Sequence, residues 1–146
     1  MLVVADASVL VAELLRERGR ALLSDPNLRV VVAEDQWREA QYELSRRTAL
    51  LVEQARLTAE QGATIQQAIK MLVDDRVVEV IPRFVYEQME ATARRRIPRD
   101  PNDWPPIALA LTLDAGILTA DNDFLGCGCP TWSVDTLREE LAHLKP

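Results

Sequence analysis

Cysteine and histidine are scarce in this chain of 146 residues. The sequence contains two cysteines, Cys127 and Cys129, and one histidine, His143. Two cysteines do not make a disulfide framework, so we expect a reducing, cytoplasmic location. Without partner histidines, the two thiols cannot complete a tetrahedral zinc site, and we expect them to line a turn. A single histidine near the C terminus also argues against Ser-His-Asp and Cys-His catalysis.

Long apolar runs are missing as well. No stretch reaches the length needed to span a bilayer, and we expect no membrane partner. The N-terminal segment MLVVADASVL lacks a positive leader and is interrupted by Asp6, which predicts a first strand rather than a signal peptide. Apolar residues make up 48% and charged residues 27%, which is typical of a globular chain. We predict a single domain over residues 1–146.

Lysine is nearly absent, since only Lys70 and Lys145 occur among the 17 basic residues. The formal net charge is −6, which disfavours indiscriminate attraction to polyanions. The remaining basic residues are arginines, which bind phosphate and carboxylate groups with two parallel hydrogen bonds. The basic residues are therefore suited to specific contacts with anions.

Five short apolar segments alternate with helical patterns along the chain. The predicted strands are residues 2–5, 30–33, 77–81, 117–120 and 131–134. The predicted helices are residues 8–18, 35–44, 48–57, 58–73, 84–96, 103–115 and 135–144, with Asp35, Thr58 and Asp103 as N-terminal caps and Gly116 as a left-handed stop. This order predicts a three-layer α/β/α sandwich around a central, mainly parallel, five-stranded sheet. Residues 48–73 are predicted to form a helical arm.

Acidic side chains follow the predicted strands. Asp6 follows the first strand, and Asp121 and Asp123 follow the fourth. Asp103 begins the helix that leads into the fourth strand, and Glu39 lies in the first turns of the helix after the second. Ligands of such sheets bind beyond the carboxyl ends of the strands, so these acids could share one pocket. Taken alone, Asp6 could equally be a simple helix cap, as a single aspartate after a strand often is.

A shared acidic pocket has an electrostatic cost. Two carboxylates about 4 Å apart repel by roughly 4 kcal/mol at an effective dielectric constant near 20. A cluster of four therefore needs either shared protons or a cation. Ligand sets made only of oxygen select hard ions, and we expect Mg²⁺ or Mn²⁺.

Four segments together resemble one family, the PIN-domain ribonucleases, which include the VapC-type toxins. The segments are VVADASVLV, RDPNDWPPIALAL, ILTADNDF and PTWSVDTL. The resemblance covers nearly the whole chain and implies a metal-dependent endoribonuclease that hydrolyses RNA phosphodiester bonds, with one or two divalent metals in its acidic centre. The residues that it implies as metal ligands and catalytic residues are Asp6, Glu39, Asp103 and Asp121.

Three neighbouring acids have alternative interpretations. Glu43 lies four residues before Arg47, which favours a surface ion pair over a place in the site. Asp100 and Asp123 are interpreted as loop caps or as groups that support the ligands. Glu34 and Glu43 both lie near Glu39, and the resemblance places the family's glutamate only by its position early in this helix; Glu39 is preferred.

The arginines near the C-terminal end of the fifth predicted helix have two equally supported interpretations. Arg94, Arg95, Arg96 and Arg99 could bind RNA phosphates, or they could satisfy the negative end of the helix dipole. The sequence does not favour one over the other.

Two other functions were weighed against the nuclease. A phosphatase of the haloacid dehalogenase type requires a second aspartate two residues after the first, and Ala7 and Ser8 follow Asp6 here. A non-catalytic PIN-like module that binds protein or RNA stays open as the alternative. If the chain is the toxin of a toxin-antitoxin pair, we expect an antitoxin protein that inserts an arginine into the acidic pocket, and we expect a homodimer formed through the helical arm.

Overall fold

The computed structural model describes residues 1–146 and contains five strands and eight α-helices. The strands are β1 (Leu2–Ala5), β2 (Arg29–Ala33), β3 (Val78–Ile81), β4 (Gly116–Leu118) and β5 (Thr131–Trp132). The helices are α1 (Ala7–Leu14), α2 (Glu17–Leu23), α3 (Glu34–Glu53), α4 (Ala59–Asp74), α5 (Arg83–Tyr86), α6 (Glu90–Arg96), α7 (Trp104–Leu113) and α8 (Val134–Leu144). Three short 3₁₀ helices cover Glu87–Met89, Pro101–Asp103 and Asn122–Phe124.

The five strands form one sheet in which every pairing is parallel. Their order is β3-β2-β1-β4-β5, and Val4 of the central strand pairs with Val31 on one side and Ile117 on the other. The predicted α/β sandwich with a five-stranded sheet is thus confirmed. The chain builds outward from β1 in one direction and then returns to its other side at β4. Such a reversal opens a crevice at the carboxyl ends of the two neighbouring strands β1 and β4.

Both faces of the sheet are covered, as an all-parallel sheet requires. Val3 and Ala5 of β1 belong to a core of 19 buried residues on one face. Val4 points to the opposite face, into a second core of 15 buried residues that α7 dominates. Successive residues of a strand point to opposite faces, so an unbroken apolar run such as LVVA suits a strand that is buried on both sides.

The helix predicted over residues 8–18 is two helices. The first ends at Leu14, and the second begins at Glu17. The side chain of Arg20 turns back and donates a hydrogen bond to the carbonyl of Leu14 at 2.8 Å, which satisfies an otherwise unpaired helix end. The prediction was wrong here because the spacing of apolar residues does not reveal a helix break that is stabilised by a polar side chain of the next helix.

The separate helix predicted over residues 48–57 is also wrong, since residues 48–53 are the last turns of α3. Asp35 does not cap α3, because the N-cap is Ala33 and makes no side-chain hydrogen bond. Asp35 instead lies in the first turn and accepts a hydrogen bond from the hydroxyl of Tyr86 at 2.8 Å. The capping box predicted for α4 from Thr58 and Gln61 is present.

Gly116 is not the left-handed stop of α7. Asp114 takes that conformation with φ of 52°, which aspartate adopts more readily than most residues, and Gly116 lies in β4. A Cβ atom on Gly116 would lie 2.8 Å from the indole Nε1 of Trp132, so the glycine allows the Trp132 ring to pass close to the backbone.

Two further boundaries differ from the sequence pattern. The helical segment predicted over residues 84–96 is divided into α5 and α6 by the 3₁₀ turn Glu87–Met89. The fifth strand ends at Trp132, and Ser133 caps α8 with a capping box that includes Thr136. None of the eight helices combines the length and the apolar character needed to cross a bilayer.

Candidate functional site

Asp6 lies directly after β1, at the centre of the sheet. Its side chain is buried, with 5% of the residue exposed. One carboxylate oxygen accepts a hydrogen bond from the amide of Val9 at 2.9 Å, so Asp6 caps α1 as the capping interpretation predicted. The other oxygen accepts a hydrogen bond from the hydroxyl of Thr119. Each oxygen keeps a lone pair free, so capping does not prevent a further contact.

Thr119 connects the ends of the two central strands. It follows β4, is itself buried, and donates to Asp6 across the sheet. Its hydroxyl oxygen accepts a hydrogen bond from the amide of Asp121 at 3.0 Å. Asp121 in turn accepts from the amide of Asp123 at 2.8 Å and caps the 3₁₀ helix Asn122–Phe124. The two aspartates are therefore held in a fixed relation by one threonine.

Asp103 begins α7 from the other side of the crevice. It occupies the N-cap position but makes no capping hydrogen bond, so its carboxylate is not occupied by the helix end. The guanidinium groups of Arg83 and Arg94 both lie over the ring of the following residue, Trp104, at 5.3 and 5.6 Å from the ring centre. Arg94 also donates to the carbonyl of Pro101 at 3.2 Å. These contacts fix the backbone from which the Asp103 side chain extends.

Glu39 extends from the second turn of α3, and the start of this helix is fixed by two long-range contacts. The side chain of Gln36 accepts a hydrogen bond from the amide of Ala7 at 2.7 Å, directly beside the first aspartate of the site. Tyr86 donates to Asp35, as described above. Glu39 itself is exposed, which leaves its carboxylate free to move toward a ligand.

The acids of this region raise one another's pKa. Burial raises the pKa of Asp6, and the charge of Asp121 adds to the effect. Burial raises the pKa of Glu39, with Asp6 and Asp100 among the carboxylates that add to it. The pKa of Asp103 is raised to about 6, chiefly by burial and further by the charges of Asp100, Asp121 and Glu39. The four predicted site residues and Asp100 thus share one negative field.

Acidic neighbours and burial, rather than basic neighbours, decide the pKa values of Asp6, Glu39 and Asp103. Arginine, lysine and histidine are all missing from the groups that shift the pKa values of Asp6, Glu39 and Asp103. No three acidic, histidine or cysteine side chains are grouped closely enough to chelate one ion in their present positions. Carboxylates of like charge repel, so a cation is needed to draw them together. The donors are all oxygens, and this chemistry fits a hard divalent ion such as Mg²⁺ or Mn²⁺.

Some neighbouring acids and arginines have structural partners instead. Glu43 pairs with Arg46 at 2.8 Å and with Arg47 at 3.6 Å, and hydrogen bonding to Arg46 lowers its pKa, as expected for a surface ion pair. Arg96 donates to the carbonyl of Cys127 at 3.1 Å. Cys127 is buried and Cys129 half-buried, and both are free thiols beside a turn.

Sequence reasoning missed Thr119 and Gln36, which connect the predicted site residues to one another. Asp100, interpreted as a loop cap or a supporting group, accepts a hydrogen bond from the amide of Asn102 and is also the acid with the largest effect on the pKa of Asp103. Thr119 could have been noticed as a hydroxyl residue at the end of a buried strand, two positions before an aspartate. Gln36 carries no such local signal, because its partner Ala7 lies 29 residues away.

A family model for the PIN domain matches residues 4–142 of this chain. The chain belongs to the PIN-domain family. Members of this family are typically nucleases and generally depend on a metal ion. The match includes all four of the predicted site residues. No curated protein matches this sequence at a significant level.

Solved structures support the same fold for this PIN domain. PAE2754 from Pyrobaculum aerophilum superposes with a TM-score of 0.65 at 19% identity, covering 98% of this chain and 90% of that chain. VapBC2 from Rickettsia felis, solved bound to a DNA fragment from its promoter, superposes with a TM-score of 0.61 at 13% identity. That superposition covers 91% of this chain and 98% of that chain. At these identities the likeness is one of fold.

Proposed function

We propose that this PIN domain is a metal-dependent endoribonuclease that hydrolyses RNA phosphodiester bonds. The observation that carries the proposal is the group of carboxylates at the crevice between β1 and β4, in which the pKa values of Asp6 and Asp103 are raised by burial and by neighbouring acids. Raised pKa values mean that the group gains free energy by binding positive charge, either as protons or as a cation. Membership of a family of metal-dependent nucleases favours the cation.

Asp6, Glu39, Asp103 and Asp121 are the residues that would hold the ion. A bound Mg²⁺ or Mn²⁺ lowers the pKa of an attacking water and neutralises charge on the phosphate. Asp6 supplies a rigid, buried carboxylate, oriented by the amide of Val9 and the hydroxyl of Thr119. Glu39 supplies an exposed carboxylate that can adjust its position. The group of acids also explains how a chain of net charge −6 could attract RNA, because bound cations reverse the local sign.

The proposal is tested by RNA cleavage with Mg²⁺, with Mn²⁺ and with a chelator. We expect cleavage with the ions, none with chelator, and none from Asp6→Asn or Asp121→Asn with either ion. In the Asp6→Asn variant the new amide keeps an oxygen that can accept from the Val9 amide and an NH₂ group that can hydrogen bond to Thr119, so the fold should persist. Glu139→Gln, an exposed acid of α8 that makes no ion pair, is the control and should keep full activity.

Calorimetry separates this proposal from the alternative, a PIN-like module that binds protein or RNA without cutting it. We expect the wild type to bind Mn²⁺ and the Asp121→Asn variant to bind it more weakly, because one ligand charge is lost. Aspartate variants that cut RNA as fast as the wild type would refute the assignment. RNA binding without Mn²⁺ binding or cleavage would favour the non-catalytic module.

The biological setting is part of the same proposal. We infer a cytoplasmic toxin that acts on RNA and is restrained by an antitoxin protein, and this rests on the resemblance to VapC-type toxins. A neighbouring gene for a small antitoxin would support this setting. The homodimer formed through residues 48–73 is likewise a proposal, and measurement of molar mass in solution tests it.

A further inference from the structure

A second, differently charged cleft adjoins the acidic centre. It has a volume of about 560 Å³ and is lined by side chains from residues 96–99 on one side and residues 122–126 on the other. Each side continues directly into the candidate site, because Arg99 precedes Asp100 and Asn122 follows Asp121. The cleft and the candidate site are therefore built on the same two segments of the chain. The volume is that of a site for a small molecule or for one segment of a chain.

One wall of the cleft is held rigidly by Arg96. Its guanidinium donates to the carbonyl of Cys127 and lies against Gly128, which has φ of +90°. A Cβ atom on Gly128 would lie 2.4 Å from Nη1 of Arg96, so this position accepts no side chain in the present arrangement. The loop after Asp121 is thus fixed against α6, and a positive charge is fixed beside the cleft.

Arg99 is the exposed cation of the cleft. Its side chain is 79% exposed and pairs with Asp123 at 3.5 Å, the only acid among the residues that line the cleft. An ion pair between solvent-exposed side chains is weak and easily exchanged. A phosphodiester carries the same single charge as a carboxylate and likewise accepts two hydrogen bonds from a guanidinium, so it can take the place of Asp123 at Arg99. Asp123 therefore acts as an internal competitor for Arg99.

The rim of the cleft also carries an exposed apolar side chain. Leu125 is 64% exposed, although it lies between the buried residues Phe124 and Cys127. An apolar contact combined with one phosphate contact suits an unstacked nucleotide, since every base has an apolar face. Bases in a duplex have no free face to offer.

We propose that this cleft binds the nucleotide of single-stranded RNA that adjoins the phosphate held at the acidic centre. Arg99 exchanges Asp123 for the phosphate of that nucleotide, and Leu125 packs against its base. The proposal rests on the nuclease function proposed above. It assigns Arg99 and Leu125 to substrate binding and gives Asp123 the role of an anion that limits affinity, rather than of a metal ligand.

The experiment measures binding of a short, fluorescein-labelled single-stranded RNA by fluorescence anisotropy, with Ca²⁺ in place of Mg²⁺ or Mn²⁺ so that the acidic centre stays neutralised, and gel analysis of the RNA checks that it stays intact. Arg99→Gln should weaken binding about fivefold and reduce the slope of log Kd against log salt by about 0.7. Arg29→Gln is the matched control, because Arg29 is 67% exposed and pairs with Glu79 at 3.0 Å. It is the first residue of β2 and therefore lies at the amino ends of the strands, away from the candidate site. The control variant removes the same charge and should leave both values nearly unchanged.

Asp123→Asn gives the sharper test, since it should tighten binding by about two- to fivefold. A general loss of negative charge would give the same gain whether or not Arg99 is present. If Arg99 moves from Asp123 to the phosphate, the gain from Asp123→Asn should disappear when Arg99 is also replaced, in the double variant Arg99→Gln/Asp123→Asn. A double-mutant cycle then shows that the two residues are coupled. Both residues are at the surface, and thermal unfolding should confirm that the variants fold.

The outcomes separate this inference from the nuclease proposal. If wild-type protein cleaves RNA with Mn²⁺ but Arg99→Gln binds like Arg29→Gln, the cleft assignment is wrong and the nuclease function stands. If RNA binds through Arg99 and no ion supports cleavage, the cleft stands and the nuclease function is wrong. If wild-type protein neither binds nor cleaves RNA, both are wrong. Equal competition by a duplex of the same sequence would overturn the assignment to single strands.

Discussion

Replacing Asp103 by asparagine should make the metal-free protein more stable while it impairs a metal site. The pKa of Asp103 is raised to about 6 from the ordinary value of 3.8, chiefly by burial and then by Asp100, Asp121 and Glu39. The folded state therefore holds the proton of Asp103 more tightly than the unfolded chain does. The resulting stabilisation is fully present below about pH 4 and is lost as the pH rises through about 6. At neutral pH the ionised carboxylate destabilises the fold.

The size of the effect follows from the same values. A difference of about 2 between the folded and unfolded pKa corresponds to about 3 kcal/mol. Asp103 is only half-buried, and solvent screening of its charge reduces the expected gain to about 1–2 kcal/mol. For a chain of this length, that gain raises Tm by about 3–6 °C. Asparagine has nearly the same volume, so packing should contribute little.

Thermal unfolding in chelator, from about pH 4 to about pH 8, measures this gain. We expect Asp103→Asn and wild type to melt alike at the acid end and the variant to melt higher at the alkaline end. Glu139→Gln serves again as the control and should show no such trend. Added Mn²⁺ should stabilise the wild type more than the variant, because the ion binds the ionised carboxylate. A variant that melts at or below wild type at alkaline pH, or a gain that does not change with pH, would refute the reasoning.

Two further predictions concern the packing around the site. Gly128→Ala should cost about 1–3 kcal/mol in urea unfolding because of its left-handed φ and its contact with Arg96, whereas Gly126→Ala, with φ of +83° and no atom within 4 Å, should cost less. Equal losses would mean that backbone strain alone is responsible. Tyr86→Phe should cost about 1 kcal/mol, because the partly buried hydrogen bond to Asp35 is lost without a change of shape. Unchanged urea unfolding of Tyr86→Phe would show that this hydrogen bond contributes no net stability.

Much of the fold could be predicted from local patterns. Apolar runs such as residues 2–5 and 30–33 are buried on both faces, and only a covered parallel sheet satisfies that pattern. For the acids that follow them the sequence predicts one shared pocket; Thr119 connects Asp6 with Asp121, and the charge of Asp121 contributes to the raised pKa of Asp103. Their role as metal ligands stays a prediction. The errors concern the ends of helices, where a single contact outweighs propensity.

By itself, the sequence determined the strand pattern, the positions of the acids along the chain and their chemistry, because these depend on residues close to one another in the chain. Only the tertiary structure decided which groups surround them. Thr119 donates to Asp6 across 113 positions, and Arg99 meets Asp123 at the mouth of a cleft that no local pattern marks. Such contacts arise when the chain returns to β4 beside β1, and sheet order is a property of the folded molecule as a whole.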